Sequence, residues 1–211
     1  MDGPVSLVTL SCETGRVLWR KPLPISILKS RNILYLQAYE NRLIACGSHG
    51  DARNDTTYSV ACFDHSSGSL NWEAFHEKGK PGQMFHGEQV HHPVIMKDLL
   101  ITEPVIYQLE TGVPVASFQS NDPWFLDRPG HSCGTLSAGG DCLFFRATNP
   151  TVLDLSENLA SGESSIKLSP SRTGCWINII PAGGLVMIPE ASAGCVCHFS
   201  LQTSMAFLPR R

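Results

Sequence analysis

The sequence predicts an all-β fold made of repeated four-stranded antiparallel units, and two observations predict it. A short turn motif recurs at intervals of about 53, 44, 45 and 46 residues. The stretches between its copies are short, apolar and rich in β-branched or aromatic residues, and no 3.6-residue period persists over ten residues, so helices should be few.

The motif is clearest in Leu10 to Trp19 and in Phe63 to Trp72. In each, a hydroxyl residue and a glycine form a turn (Thr14-Gly15, Ser67-Gly68) and a tryptophan follows four positions after the glycine. A third copy at Thr111-Gly112 keeps the turn and loses the Trp. Weaker copies follow at Leu153 to Glu157 and at Phe199 to Thr203, so that Cys197 to Leu208 reads as a closing hairpin. The intervals suit four strands per blade of a β-propeller. About four blades are expected, with repeat units near 1–23, 24–75, 76–118, 119–168 and 169–211 forming one partial domain over residues 1–211. Strands are predicted at 33–38, 42–46, 93–96, 99–102 and 143–146. Glu40-Asn41, Lys97-Asp98, Gly139-Gly140-Asp141 and Gly183-Gly184 are hairpin signals between them.

Composition narrows the function classes. The chain has 211 residues, 42% hydrophobic and 17% charged, as a globular protein has. Its formal net charge is −3, and Arg16, Arg20 and Lys21 read as a solvated hairpin, so a nucleic-acid partner is not expected. The longest apolar stretch, Ile177 to Pro189, is broken by Pro181, Gly183 and Gly184, and no membrane span is expected. Met1-Asp2-Gly3-Pro4 has no basic and apolar leader, so no signal peptide is predicted in this chain. Eight cysteines nevertheless favour an oxidising compartment. The two signals agree if the chain is the C-terminal part of a longer exported protein.

An apolar strand, Asp or Glu, Thr-Gly, three residues and Trp resembles the repeat of the pyrroloquinoline quinone (PQQ) dehydrogenase superfamily. Pro129 to Thr135, Gly174 to Gly184 and Ala193 to Cys197 resemble the end of bacterial PQQ-binding-like β-propeller proteins. The resemblance implies a ring of seven or eight blades, a tryptophan packed between neighbouring blades, and a periplasmic or extracellular location. Four blades form an open arc, which missing blades or an oligomer partner would complete. In such propellers the first strand of each blade starts at the ligand-bearing face, and the loop between second and third strands lies on that face. First strands then begin near His92, Cys133 and Cys175. The second-to-third loops hold Gly47 to Asp51, Glu103-Pro104, Arg146 to Asn149 and Glu190 to Cys195.

The candidate ligand-binding residues are therefore His92, His131, Cys133, Arg146, Asn178 and Glu190. The competing reading is structural: His131 and Arg146 satisfy buried carbonyls, and Asn178 caps a turn. His86, Glu88 and His92 carry the residue types of a Zn²⁺, Cu²⁺ or Ni²⁺ site, although His91 and His92 would point to opposite faces of a strand. The bland alternative is a polar loop entering a strand. Cys133, Cys175, Cys195 and Cys197 are disulfide candidates, with buried thiols or a thiolate metal site as alternatives. Cys12, Cys46, Cys62 and Cys142 read as small core residues. The family resemblance implies PQQ and Ca²⁺ over the channel, and Glu103 and Asn178 could imitate Ca²⁺ ligands. The adjacent Cys-Cys pair common in those enzymes is missing, so no catalytic residue is carried over. A phosphate-binding glycine loop and a nucleophile elbow are also missing. The expected function is a non-catalytic module binding a protein or small molecule; the alternative is part of a PQQ- or metal-dependent oxidoreductase.

Overall fold

A computed structural model of the chain describes residues 5–23, 32–49, 57–77, 92–102, 105–117, 135–147, 149–156, 165–171, 173–174, 179–190, 201 and 203–209. Among them there is no helix, and the strands form five antiparallel sheets in chain order. The first sheet pairs β1 (Ser6–Leu10) with β2 (Val17–Pro22). The second is a meander of β3 (Asn32–Tyr39), β4 (Arg42–His49), β5 (Thr57–Asp64) and β6 (Leu70–Glu77). The third contains β7 (Val94–Met96), β8 (Leu99–Ile101), β9 (Val105–Gln108) and β10 (Pro114–Ser117). The fourth contains β11 (Ser137–Gly139), β12 (Cys142–Ala147), β13 (Asn149–Asp154) and β14 (Ser165–Lys167). The fifth is three-stranded: β15 (Ile180–Ala182), β16 (Leu185–Ile188) and β17 (Met205–Phe207).

Two hairpin types repeat. Between first and second strands the loop is two residues long: Glu40-Asn41, Lys97-Asp98, Gly140-Asp141 and Gly183-Gly184. Its first residue has positive φ in every case, which glycine accepts freely and Glu40 (50°) and Lys97 (55°) adopt at a cost. The third-to-fourth hairpins close on Gly15, Gly68 and Gly112. Each of these glycine amides donates to the carbonyl four residues earlier, at 2.8 Å. Just beyond the third strand, the amides of His65, Leu109 and Leu155 donate to the carbonyls of Asn41, Asp98 and Asp141. One backbone scaffold is thus used repeatedly with changing side chains.

Strand alternation then gives each sheet two apolar faces, and four core clusters join neighbours face to face. Leu7, Leu23 and Trp19 pack on Ala45, Ala61 and Phe63 between the first two sheets. Ile44, Val60, Cys62 and Trp72 meet Leu100, Tyr107 and Leu109 between the next pair. Ile101 and Ile106 meet Leu143, Phe145 and Leu153 between the third and fourth, and Phe144 meets Ile188 between the fourth and fifth. The first strands β7, β11 and β15 lie beside one another in sequence.

Trp19 and Trp72 pack between sheets, and in the same way. The Trp19 indole donates to the His65 carbonyl at 3.0 Å and covers Gly68; the Trp72 indole donates to the Leu109 carbonyl at 3.0 Å and covers Gly112. A Cβ on Gly68 or Gly112 would stand 2.7 or 2.5 Å from an indole carbon, inside the 3.5–4.0 Å carbon contact distance. Glycine is required there for the approach as well as for its φ of about 70°.

Three local expectations need correction. β17 pairs directly with β16 and is therefore the third strand of its sheet, not the fourth strand of the closing hairpin expected over Cys197 to Leu208; Cys197 to Ser200 and Gln202, which include most of the turn read at Phe199 to Thr203, lie outside the described residues. Val186 pairs with Phe207 as Leu43 pairs with Phe63, which puts Leu208 at the register position of Asp64. Thr203 supplied the hydroxyl of the motif without its glycine. Arg146 lies in the strand expected over 143–146, but the loop expected over Arg146 to Asn149 is mostly strand, because the ladder between β12 and β13 continues through Arg146–Pro150 to Ala147–Asn149. Cys12 lies in the first hairpin turn and is exposed, whereas Cys46 and Cys62 are buried and Cys142 is half-buried.

Candidate functional site

In every four-stranded sheet the first and third strands begin, and the second and fourth end, away from the two-residue hairpin. Cross-sheet contacts at the hairpin end keep the sheets aligned. Arg42 pairs with Glu110 between the second and third sheets, and Lys97 with Asp141 between the third and fourth. The opposite ends are therefore aligned as well, and this is the end at which His92, Arg146 and Glu190 stand.

Of those candidates, His92, Arg146 and Glu190 are among the described residues; His131, Cys133 and Asn178 lie outside them, as do His86 and Glu88. His92 stands two residues before β7. Its half-buried imidazole packs on Tyr35 of β3, ring centroids 4.9 Å apart and inclined by 36°. Burial lowers the His92 pKa, favouring a neutral ring at pH 7. Burial, then the Cys46 thiol, raises that of Tyr35. The pair presents a neutral surface of mixed aromatic and hydrogen-bonding character.

Arg146 is only 1% exposed, which puts its guanidinium among buried groups and not at a surface. Glu190 follows β16 and is exposed; its backbone amide donates to the Ser204 hydroxyl at 3.0 Å. Asn149, also in the expected loop, is buried and donates to the Ser171 carbonyl at 2.9 Å, a structural tie. His92, Arg146 and Glu190 border neither the cleft at Tyr39, Arg42 and Leu109 nor the cleft at Gly139, Cys142 and Pro209, both at the hairpin end.

A buried ring row leads from His76 toward the hairpin end, and sequence reading did not single it out. His76 Nδ1 is 2.9 Å from the Tyr107 hydroxyl. Tyr58 stacks on His76 with centroids 5.5 Å apart, Tyr107 lies 5.9 Å from His76, and Trp72 lies 6.3 Å from Tyr107. Burial, with the nearby Cys46 thiol second, pushes the Tyr107 phenol up to about 12, and burial pushes Cys46 itself up to about 12. Both stay protonated at neutral pH, so the Tyr107 hydroxyl keeps a proton to share with His76 Nδ1. The signal was available: Trp72, Ala74 and His76 share one strand face, so a Trp between sheets places His76 there too.

For a metal, the described residues hold no cluster of three or more His, Cys, Asp or Glu side chains. The disulfide candidates Cys133, Cys175, Cys195 and Cys197 all lie outside the described residues, and Cys12, Cys46, Cys62 and Cys142 are free. Compared with known protein families and with curated proteins, the chain matches none.

Proposed function

We propose that the five sheets are blades of a β-propeller of the PQQ-like repeat type, and that the protein is a non-catalytic module binding a ligand at the end where Tyr35 and His92 lie. The observation that carries this reading is the repeated stacking of meanders in one register, with β7, β11 and β15 side by side. Successive first strands in mutual contact are what a radial arrangement requires. Sequence position assigns His131, Cys133, Asn178 and Glu190 to the same end. The neutral Tyr35–His92 pair suits a ligand or protein surface carrying both apolar area and hydrogen-bonding groups. The exported location implied by the resemblance belongs to the same proposal.

The test compares wild type with a Tyr35→Ala/His92→Ala variant. Capture of a partner from native extract should be lost in the variant while its circular dichroism stays unchanged. Equal capture by both proteins would remove this end from the binding role. Stoichiometric PQQ uptake with Ca²⁺, accompanied by substrate-dependent dye reduction, would replace the module with an oxidoreductase. A structure in which the first strands do not converge on a common axis would overturn the propeller itself.

A further inference from the structure

At the hairpin end, two clefts occupy one position in the repeat. Between the second and third sheets a cleft of about 290 Å³ is bordered by Tyr39, Arg42 and Leu109. Between the fourth and fifth, a cleft of about 680 Å³ is bordered by Gly139, Cys142 and Pro209. Counting from the two-residue hairpins, Gly139 and Cys142 hold the positions of Tyr39 and Arg42. The Val186–Phe207 pair likewise sets Pro209 where His65 and Leu109 stand, the residues whose carbonyls accept the two indoles.

The tryptophan position completes the comparison. Trp72 pairs with Cys62 and is buried; Ile166 pairs with Val152 at the same register and is 62% exposed. Tyr, Arg and Trp thus narrow one interface, while Gly, Cys and an exposed Ile, on the sheet face of Val152 and Phe144, leave the other open. The interface between the third and fourth sheets, where Ala116 takes the tryptophan position, is closed differently, with Met96, Leu99 and Leu155 buried in its core. Small side chains alone therefore do not dictate a cleft in this fold. The open one keeps an aromatic wall in Phe144 and Phe207, with Val152, Leu168 and Val186 around it.

We propose that the cleft between the fourth and fifth sheets binds a planar bicyclic aromatic ligand with an N–H or O–H donor, seated where Trp72 sits two sheets earlier. The lining is apolar, its size is that of small-molecule sites, and Pro209, a lining residue, holds the register position of the residue whose carbonyl accepts from the Trp72 indole. The site is at the opposite end of the sheets from Tyr35 and His92 and stands independently of their role.

The probe is indole, titrated into the purified protein by calorimetry. Saturable 1:1 binding is expected, weakened about five- to tenfold for 1-methylindole, which lacks the donor. Ile166→Trp should fill the cleft from within and abolish binding, whereas Leu18→Trp, another exposed strand position, should leave it intact. Saturating indole should also slow alkylation of Cys142, read by peptide mapping, without slowing that of exposed Cys12. The Cys142 readout needs no variant to fold. Absence of saturable binding, equal binding to Ile166→Trp, or unprotected Cys142 would each overturn the proposal. So would self-association that covers Cys142 without ligand, which would give the cleft to a second copy of the chain.

Discussion

Replacing Gly15, Gly68 and Gly112 by alanine one at a time separates backbone strain from the tryptophan contact. All three glycines have φ between 67° and 70° and the same hairpin hydrogen bond. A Cβ on Gly15 meets nothing within 4 Å, so Gly15→Ala should cost only the left-handed penalty, about 1–2 kcal/mol. At Gly112 the Cβ would stand 2.5 Å from Trp72, and the indole must move off its 3.0 Å bond to Leu109. Overpacking adds about 1–3 kcal/mol and the weakened hydrogen bond about 1 kcal/mol, so with the left-handed penalty the loss should reach about 3–6 kcal/mol. Gly68→Ala should fall between, since Trp19 is only half-buried and can yield. Urea denaturation followed by far-ultraviolet circular dichroism measures each loss. In a Trp72→Ala background the contact is gone, and Gly112→Ala should cost no more than Gly15→Ala does. The reasoning fails if the three single losses are equal, or if the Gly112→Ala cost is the same with and without Trp72.

The remaining predictions test burial and charge. Trp72→Ala should cost about 3–5 kcal/mol and more than Trp19→Ala, because Trp72 is only 9% exposed between two sheets whereas Trp19 is half-buried; chemical denaturation ranks them. Arg146→Ala should cost about 3–5 kcal/mol by leaving the partners of a buried guanidinium unmatched, seen as a lower unfolding midpoint. Asp64 accepts from Ser66, Ser67 and Asn41, with the Ser66 hydroxyl first in effect, and its pKa is held well below the usual carboxylate range. Its stabilisation is therefore present above the unfolded value of about 4 and lost as pH falls through the lower folded value. The stability difference between wild type and Asp64→Asn should shrink on acidification, as paired melts across pH will show. Native-state alkylation at pH 8 should label Cys12 first and Cys46 only on unfolding, because burial holds the Cys46 thiol near 12.

What sequence could reveal follows from the range of each interaction. The hairpins are local: Glu40-Asn41, Lys97-Asp98 and the Thr-Gly turns were readable because turn geometry demands those residues within a few positions. Trp19 and Trp72 were readable because a bulky residue at fixed spacing in a repeat must serve a repeated contact. Arg146 was left open between a ligand contact and a buried structural tie, since a charged side chain at a strand end ordinarily faces solvent and only the sheets on either side bury it. Tyr107 reaches His76 across an interface between sheets, 31 residues away in sequence, and no local pattern pairs them. The turn misread at Thr203 shows the opposite failure, where a local likeness without its glycine outweighed the pairing of β17 with β16.

The repeat's economy explains why one interface can be open while its neighbours are closed. The amides of His65, Leu109 and Leu155 make the same bond to the preceding hairpin, so the backbone frame does not depend on which side chains fill the interface. Each interface is then free to vary: indoles over glycine in the first two, Met96 and Leu99 in the third, and Gly139 and Cys142 in the fourth. A monomeric core would lose stability with every large side chain exchanged for a small one. Here Phe144, Ile179 and Ile188 remain buried and hold the fourth and fifth sheets together beside the cleft. Phe144 thus serves both the packing and the cleft wall, whereas Ile179, Ile188 and Ile166 do not line the cleft, and a variant at the exposed Ile166 can alter the cleft while leaving the buried packing in place.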